Sequence, residues 1–413
     1  MRGPTARSAG TEMTSWTPVQ RHTVIACFLS WMLDAFDFFV LVFILSDIAD
    51  DFGDSVERVS LAIMLTLAVR PIGALLFGRA AEKFGRRPLL MINIVMFSVF
   101  ELASGFVPGL ISLLVVRVFY GIAMGGIWGI ASSLAMETVP RASRGFVSGL
   151  FQAGYPAGYL VASVVYGLLF SLIGWRGLFM LGVLPLLLAV YVYFFVPESP
   201  VWEKARQANE ANPALWPLIR RHARFVAYAV VLMAAFNFFS HGTQDIYPTF
   251  LKEQHGFAPH TVSFIAICYN IAAILGGLSF GMLSQRIGRR RAIALAALLS
   301  LPVIPLWAYA GSVLWLTIGA FAMQFMVQGA WGVVPAYLNE SSPPGSRAVL
   351  PGFVYQLGNF VAASNATLQA AIASLDHGNY SLALAVVAAT VAVVIAVVAM
   401  LGRETRDTEM AHA

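Results

Sequence analysis

Long apolar runs interrupted by short polar and charged stretches dominate the chain from residue 22 onward. A helix needs about 20 mostly apolar residues to cross a bilayer. That ruler predicts twelve spans, near 22–46, 57–80, 88–108, 110–136, 145–170, 175–196, 224–250, 260–284, 291–310, 313–338, 347–374 and 379–401. The longest polar stretch divides them six and six. The predicted organisation is a tail at 1–21, a six-helix bundle at 22–196, a linker at 197–223, a second six-helix bundle at 224–402 and a tail at 403–413. The first run carries Asp34 and Asp37 and lacks a small-residue cleavage site, which argues against a removable leader.

Composition agrees with an all-α membrane protein. Of 413 residues, 59% are hydrophobic and 11% charged, against about a quarter charged in a soluble domain; mean hydropathy is +0.75. A soluble globule is excluded, and so is a β-barrel, whose alternating strands dilute their apolar residues. Cys27 and Cys268 both lie in apolar runs, so neither a disulfide framework nor a cysteine metal site is expected. The net charge of +5 sits in short loops, where it reports topology rather than nucleic-acid binding. Of 26 Lys and Arg, 21 fall in the termini and the loops after even-numbered spans, three in other loops (Arg58, Arg176, Lys252) and two within spans (Arg70, Arg117). The positive-inside rule then makes both termini cytoplasmic, in a plasma or bacterial inner membrane. The chain holds no Walker loop, nucleophile elbow or HExxH motif. No catalytic residue, metal or cofactor is therefore assigned.

The two halves repeat at a fixed offset. Gly78, Gly85, Arg86 and Arg87 recur 203 residues later as Gly281, Gly288, Arg289 and Arg290. Trp128, Gly129, Glu137, Pro140, Arg144 and Gly149 recur as Trp331, Gly332, Glu340, Pro343, Arg347 and Gly352. Six-span repeats of this kind are a transporter architecture, with substrate bound between the halves near the midplane.

These residues resemble the major facilitator superfamily along essentially the whole chain. Its loop signature, Gly-x-x-x-Asp-x-x-Gly-Arg-Arg/Lys, appears from Gly78 to Arg87 with Glu82 at the acidic position, and from Gly281 to Arg290 with Gln285 there. The resemblance implies a gating loop whose acidic residue latches the outward-open state, and predicts a weaker or absent latch in the second copy. Pro197-Glu198-Ser199-Pro200 resembles another element of the superfamily. Leu33 to Phe39, Arg117 to Gly126 and Asn237 to Thr249 are similar to the sialate/monocarboxylate:proton symporter subfamily. The last stretch fits the Asn-x-x-Ser/Thr-His-x-Ser/Thr-Gln-Asp-x-x-x-Thr signature of fungal lactate–pyruvate permeases. The resemblance implies proton-coupled uptake of small monocarboxylates such as L-lactate and pyruvate by alternating access, with the proton as coupling ion and a monomer as the functional unit. Sialic acid or another organic acid is the nearest alternative. A drug–proton antiporter is disfavoured by Gly154-Tyr155-Pro156-Ala157-Gly158 in span five, and a non-transporting nutrient sensor by the short tails.

The polar positions within spans carry the candidate chemistry. Asn237, His241 and Asp245 are spaced four and four and share one stripe of span seven, which Gln244 and Thr249 extend. Such a stripe must face protein or water, since an Asp at a helix centre costs about 2.5–3.5 kcal/mol even on the lenient insertion scale. Arg117, about 10 Å deep at 1.5 Å per residue, lies at a depth comparable to His241 and Asp245. Its planar fork suits a substrate carboxylate; a fixed Arg117–Asp245 pair is the alternative. Proton coupling is expected of His241 with Asp245, or of Asp34 and Asp37, which a structural pairing with Arg70 would otherwise explain. Glu101 reads as interfacial. Gln356 and Asn359 share a face of span eleven and add uncharged donors; the same pair is associated with the pore in the fungal permeases. Gln152, Tyr155 and Tyr159 form a further lining face on span five. The expected partners are thus a small organic anion, a proton and the lipid bilayer, with no nucleic acid.

Overall fold

The computed structural model describes residues 16–208, 215–375 and 379–410, and all regular structure among them is helical. Residues 1–15 and 411–413 of the predicted tails and 209–214 of the predicted linker lie outside the described residues. Helix α1 (Pro18–Phe43) starts earlier than predicted because Thr17 and Gln20 form a reciprocal cap, with Pro18 in the first turn. It is followed by α2 (Val56–Phe84), α3 (Arg86–Ser104) and α4 (Leu110–Thr138).

Among the described residues, ten helical stretches are long and apolar enough to cross a membrane. Two departures from the predicted pattern account for that number. The expected fifth and sixth spans run together as one apolar stretch, Arg141–Phe195, containing α5 (Arg144–Gln152), α6 (Gly154–Met180) and α7 (Pro185–Phe195). Their predicted boundary falls at Gly174, whose φ of 62° and ψ of −175° interrupt α6 without a polar loop. In the second half, α8 (Ala223–Gln244), α9 (Pro259–Ile287), α10 (Arg289–Ser300), α11 (Val313–Trp331) and α12 (Val334–Ser341) precede a broken eleventh span. That span is split into α13 (Leu350–Ala362) and α14 (Asn365–Leu375), 13 and 11 residues long and each too short to cross alone. Helix α15 (Tyr380–Leu401) closes the bundle.

Two glycine turns set how the helices meet. Gly85 (φ 106°) joins α2 to α3 and Gly288 (φ 98°) joins α9 to α10. Both turns favour glycine for φ, and an added Cβ would also displace the carboxylate beside it, 2.1 Å from Glu198 Oε2 at Gly85 and 2.4 Å from Glu404 Oε2 at Gly288. The two halves approach at one end of the molecule, where Gly145 of α5 packs on the Gly281 carbonyl of α9 and Gly78 of α2 on Val349 just before α13. The first and last described segments lie at that end: Trp16 donates to Ser143 Oγ at 2.9 Å, and Asp407 pairs with Arg141. It is called the terminal face below.

Candidate functional site

The span-seven stripe forms, and it is wired to the eleventh span of the same half. On α8, Asn237 Nδ2 donates to the Met233 carbonyl at 2.8 Å, and His241 Nδ1 lies 3.0 Å from Asp245 Oδ2. His241 Nε2 lies 2.8 Å from Asn359 Oδ1, so α8 and α13 meet through the two residues expected to share the pore. Gln356, one turn before Asn359, is buried with neither amide atom hydrogen-bonded. Gln244 donates to Gln324 Oε1 at 2.8 Å, and Gln328 of the same helix donates to Ser240 Oγ at 3.3 Å. These two glutamines of α11 complete a polar surface that the sequence reading did not include.

Thr249 does not extend the stripe. Helix α8 ends at Gln244, and Thr249 sits exposed in the separate turn Tyr247–Thr249 with Pro248 in its first turn. The proline lacks the N–H that an unbroken helix would need.

The predicted lining face of span five meets an aromatic layer. Gln152 Oε1 accepts from Trp128 Nε1 at 3.3 Å. Tyr155 stacks on Trp31 at 5.7 Å, and Tyr159 meets Phe39 edge-on at 4.8 Å. Tyr355 of α13 stacks on Trp128 at 4.8 Å and lies edge-on to Trp31 and Trp331. One ring of the second half is thus held by aromatic residues of both.

Arg117 is not beside His241 and Asp245. It is fully buried, paired with Glu101 at 2.9 Å and sandwiched near the rings of Tyr120 (4.5 Å) and Phe179 (4.6 Å). Neither an open carboxylate clamp nor an Arg117–Asp245 pair describes that position. Glu101 is buried as well, with Gly182 packed directly on its side chain. Asp34 pairs with Arg70 at 3.7 Å, the partnership that the structural alternative anticipated. Asp37 is buried with both carboxylate oxygens unpartnered, and it lies within electrostatic range of Asp34, Glu101 and Arg117.

Charge counting describes this cluster. Asp34, Asp37 and Glu101 supply three carboxyls, and Arg70 and Arg117 supply two guanidiniums. With one proton bound the group is neutral; without it, a net negative charge stays buried at considerable cost. Arg70 also faces the centre, within electrostatic range of Tyr155 and Tyr355, and Tyr155 is in turn within range of Asp245. An intramembrane arginine was visible in the sequence, but the rotation of α2 that aims it inward was not.

The two signature loops are built alike. Arg86 pairs with Glu82 at 3.0 Å and with Glu137 at 3.2 Å. Glu82 Oε1 accepts the Ala348 N–H at 2.6 Å, bridging to the other half. In the second copy Arg289 pairs with Glu340 at 2.9 Å and donates to Gln285 Oε1 at 2.9 Å. Gln285 Oε1 accepts the Gly145 N–H at 3.3 Å, so the second bridge is present, with an amide in place of a carboxylate. Glu198 accepts from the Arg86 N–H at 2.9 Å and Arg87 N–H at 3.2 Å; Glu404 accepts from the Arg289 N–H at 2.8 Å and the Arg290 N–H at 3.4 Å. Ser199 and Thr405 then donate to Glu137 and Glu340 respectively. Arg87 and Arg290 reach back to main-chain carbonyls, of Tyr193 and of Met400 and Gly402.

Comparison with known proteins agrees with this architecture. The Major Facilitator Superfamily profile matches residues 27–244 and 242–411. A carboxylic acid transporter protein homolog of Saccharomyces cerevisiae is 29% identical over 84% of this chain, which spans 60% of that relative's length. The cis,cis-muconate transport protein of Acinetobacter baylyi is 30% identical, over 81% of this chain and 83% of its own. The sialic acid transporter NanX of Escherichia coli is 26% identical over 92% and 94% respectively. The proton:xylose symporter XylE superposes with a TM-score of 0.76 at 18% identity, covering 94% of this chain and 96% of its own, a likeness of fold alone.

Proposed function

The chain belongs to the Major Facilitator Superfamily and is a multi-pass membrane transporter, not an enzyme, and from that premise we propose that it imports small organic acids together with protons. L-lactate and pyruvate are the leading substrates. The names of the relatives support an acid as cargo, and the span-seven signature supports a monocarboxylate. Twelve crossings in two six-helix repeats, with the terminal face in the cytoplasm, would rock about a central site in a functional monomer.

The observation that carries the coupling is the odd carboxyl of the first-half cluster. Asp37 is buried, unpartnered and one negative charge beyond what Arg70 and Arg117 neutralise. We assign it the transported proton. Arg70, held by Asp34 only at 3.7 Å, is the guanidinium placed to meet an incoming carboxylate, and the proton on Asp37 offsets the charge that the carboxylate brings. His241, Asn359, Gln356 and Asn237 present polar groups to the rest of the acid, with Gln152, Tyr155, Tyr159 and Gln244 lining the path. One proton with one monoanion is electroneutral, so a pH gradient drives transport and voltage does not. The loops around Glu82, Arg86, Gln285 and Arg289 hold the terminal face shut while the opposite side is open.

Uptake of radiolabelled L-lactate into proteoliposomes, with and without an inward proton gradient and in competition with pyruvate, acetate and sialic acid, tests this reading. Gradient-stimulated uptake displaced by pyruvate is expected. The relative named for sialic acid favours one second reading, a larger organic acid as cargo. Gradient-driven uptake of sialic acid but not lactate would select it, and no acid transport by folded protein would overturn both.

A further inference from the structure

A cavity of about 1070 Å³ opens on the terminal face, away from the central polar site. It lies between the short helix Leu215–Arg221, the first turn of α8, the end of α12 and the segment after α15. Five arginines line it: Arg220, Arg221, Arg224, Arg347 and Arg403. Its three carboxylates are already engaged. Glu340 pairs with Arg289 at 2.9 Å, Glu409 with Arg141 at 3.2 Å, and Glu404 accepts main-chain N–H groups of Arg289 and Arg406. Among the described residues, no carboxylate lies within ion-pair distance of any of the five arginines.

Arg347 is the decisive member. It is only 4% exposed, and its Nη1 donates to the Met410 carbonyl at 3.1 Å while its Nε has no acceptor. Glu137 and Glu82 reach it electrostatically but are already paired with Arg86, and burying a guanidinium with no carboxylate in contact is unfavourable unless something else supplies the negative charge. Ser341 Oγ, also on the cavity wall, is a second buried polar atom without a partner. Helix α8 begins here with no side-chain cap at His222, so its free N–H groups add to the positive field.

We propose that this cavity binds a phosphate-bearing anion. Five guanidiniums exceed what a monocarboxylate neutralises, and their planar forks match a tetrahedral oxyanion two hydrogen bonds at a time. The phosphate has two sources, an anionic phospholipid headgroup or free phosphate. Trp216 and Leu401 stand exposed beside the basic wall, 61% and 78%, as an apolar rim suits a headgroup site at a membrane surface. Arg347 precedes Ala348, whose N–H holds Glu82, and also binds the end of the described chain at Met410. An occupied cavity therefore stiffens the shut terminal face.

Thermal unfolding of the purified full-length protein in neutral detergent tests the proposal, with inorganic phosphate, phosphatidylglycerol or phosphatidylcholine added at matched ionic strength. A rise in Tm of about 2 °C or more is expected from phosphatidylglycerol or phosphate. A rise with the lipid alone assigns the headgroup, and a rise with inorganic phosphate assigns the free anion. The triple variant Arg221→Gln, Arg224→Gln, Arg403→Gln changes only exposed side chains, should fold, and should lose the rise. No rise with either phosphate source, an equal rise with phosphatidylcholine, or an undiminished rise in the triple variant would overturn it.

Discussion

Arg117 and Glu101 form an ion pair at 2.9 Å with neither side chain reaching solvent, and Asp37 lies within electrostatic range of both without a partner of its own. If Asp37 holds the proton because the cluster has one carboxyl too many, removing any one carboxyl removes the need for that proton. Glu101→Gln and Asp37→Asn should each abolish gradient-driven accumulation of L-lactate while leaving lactate–lactate counterflow within about threefold of the parent, less than 1 kcal/mol. Arg117→Leu should instead cost about 3–5 kcal/mol of stability, since it strands buried carboxylates. Gradient-driven accumulation surviving in Asp37→Asn, measured in proteoliposomes, would move the proton elsewhere.

Arg70→Lys keeps the charge and loses the fork. The KM for L-lactate should rise about tenfold, near 1.4 kcal/mol, as one charge-assisted hydrogen bond is lost. An unchanged KM in counterflow would show that the carboxylate binds elsewhere.

His241→Gln retains a polar partner for Asn359 but cannot titrate. With the proton on Asp37, the pH profile of uptake should keep its shape while affinity falls. A profile flattened across the histidine range would make His241, with Asp245, the carrier.

Gln285→Glu gives Arg289 a second carboxylate, as Arg86 has. A charge-assisted bond from the Gly145 N–H should then hold the terminal face shut more firmly, by about 1 kcal/mol. Cysteine labelling of residues facing that side in reconstituted protein should slow accordingly, and faster labelling would contradict the assigned role of this bridge.

Gly85→Ala places a methyl group at a left-handed φ and against Glu198. The backbone penalty alone is about 1–2 kcal/mol, and the carboxylate must also leave the Arg86 and Arg87 N–H groups. The yield of folded protein by size-exclusion chromatography should fall, and a normal yield would show that the turn relaxes.

The sequence carried the parts of this fold that depend on local pattern. Gly85, Arg86, Gly288 and Arg289 were legible because a glycine turn followed by arginine recurs at one fixed spacing. Glu404 was not recognised as the counterpart of Glu198, because the two are 206 residues apart rather than 203; only the shared capping geometry reveals the match. Periodicity placed Asn237, His241 and Asp245 on one stripe correctly, since that follows from 3.6 residues per turn. It could not say which intramembrane arginine faces the centre. Depth follows from counting along a helix, but orientation depends on how neighbouring helices pack, and that put Arg70 toward the tyrosines and sealed Arg117 behind Phe179.

Tyr355, stacked on Trp128 and set edge-on against Trp31 and Trp331, has a kinetic consequence. Parting the halves at the terminal face drags this ring out of contact with the first-half tryptophans, breaking several aromatic contacts together rather than one at a time. The return of the empty carrier should therefore be an activated step with a steep temperature dependence.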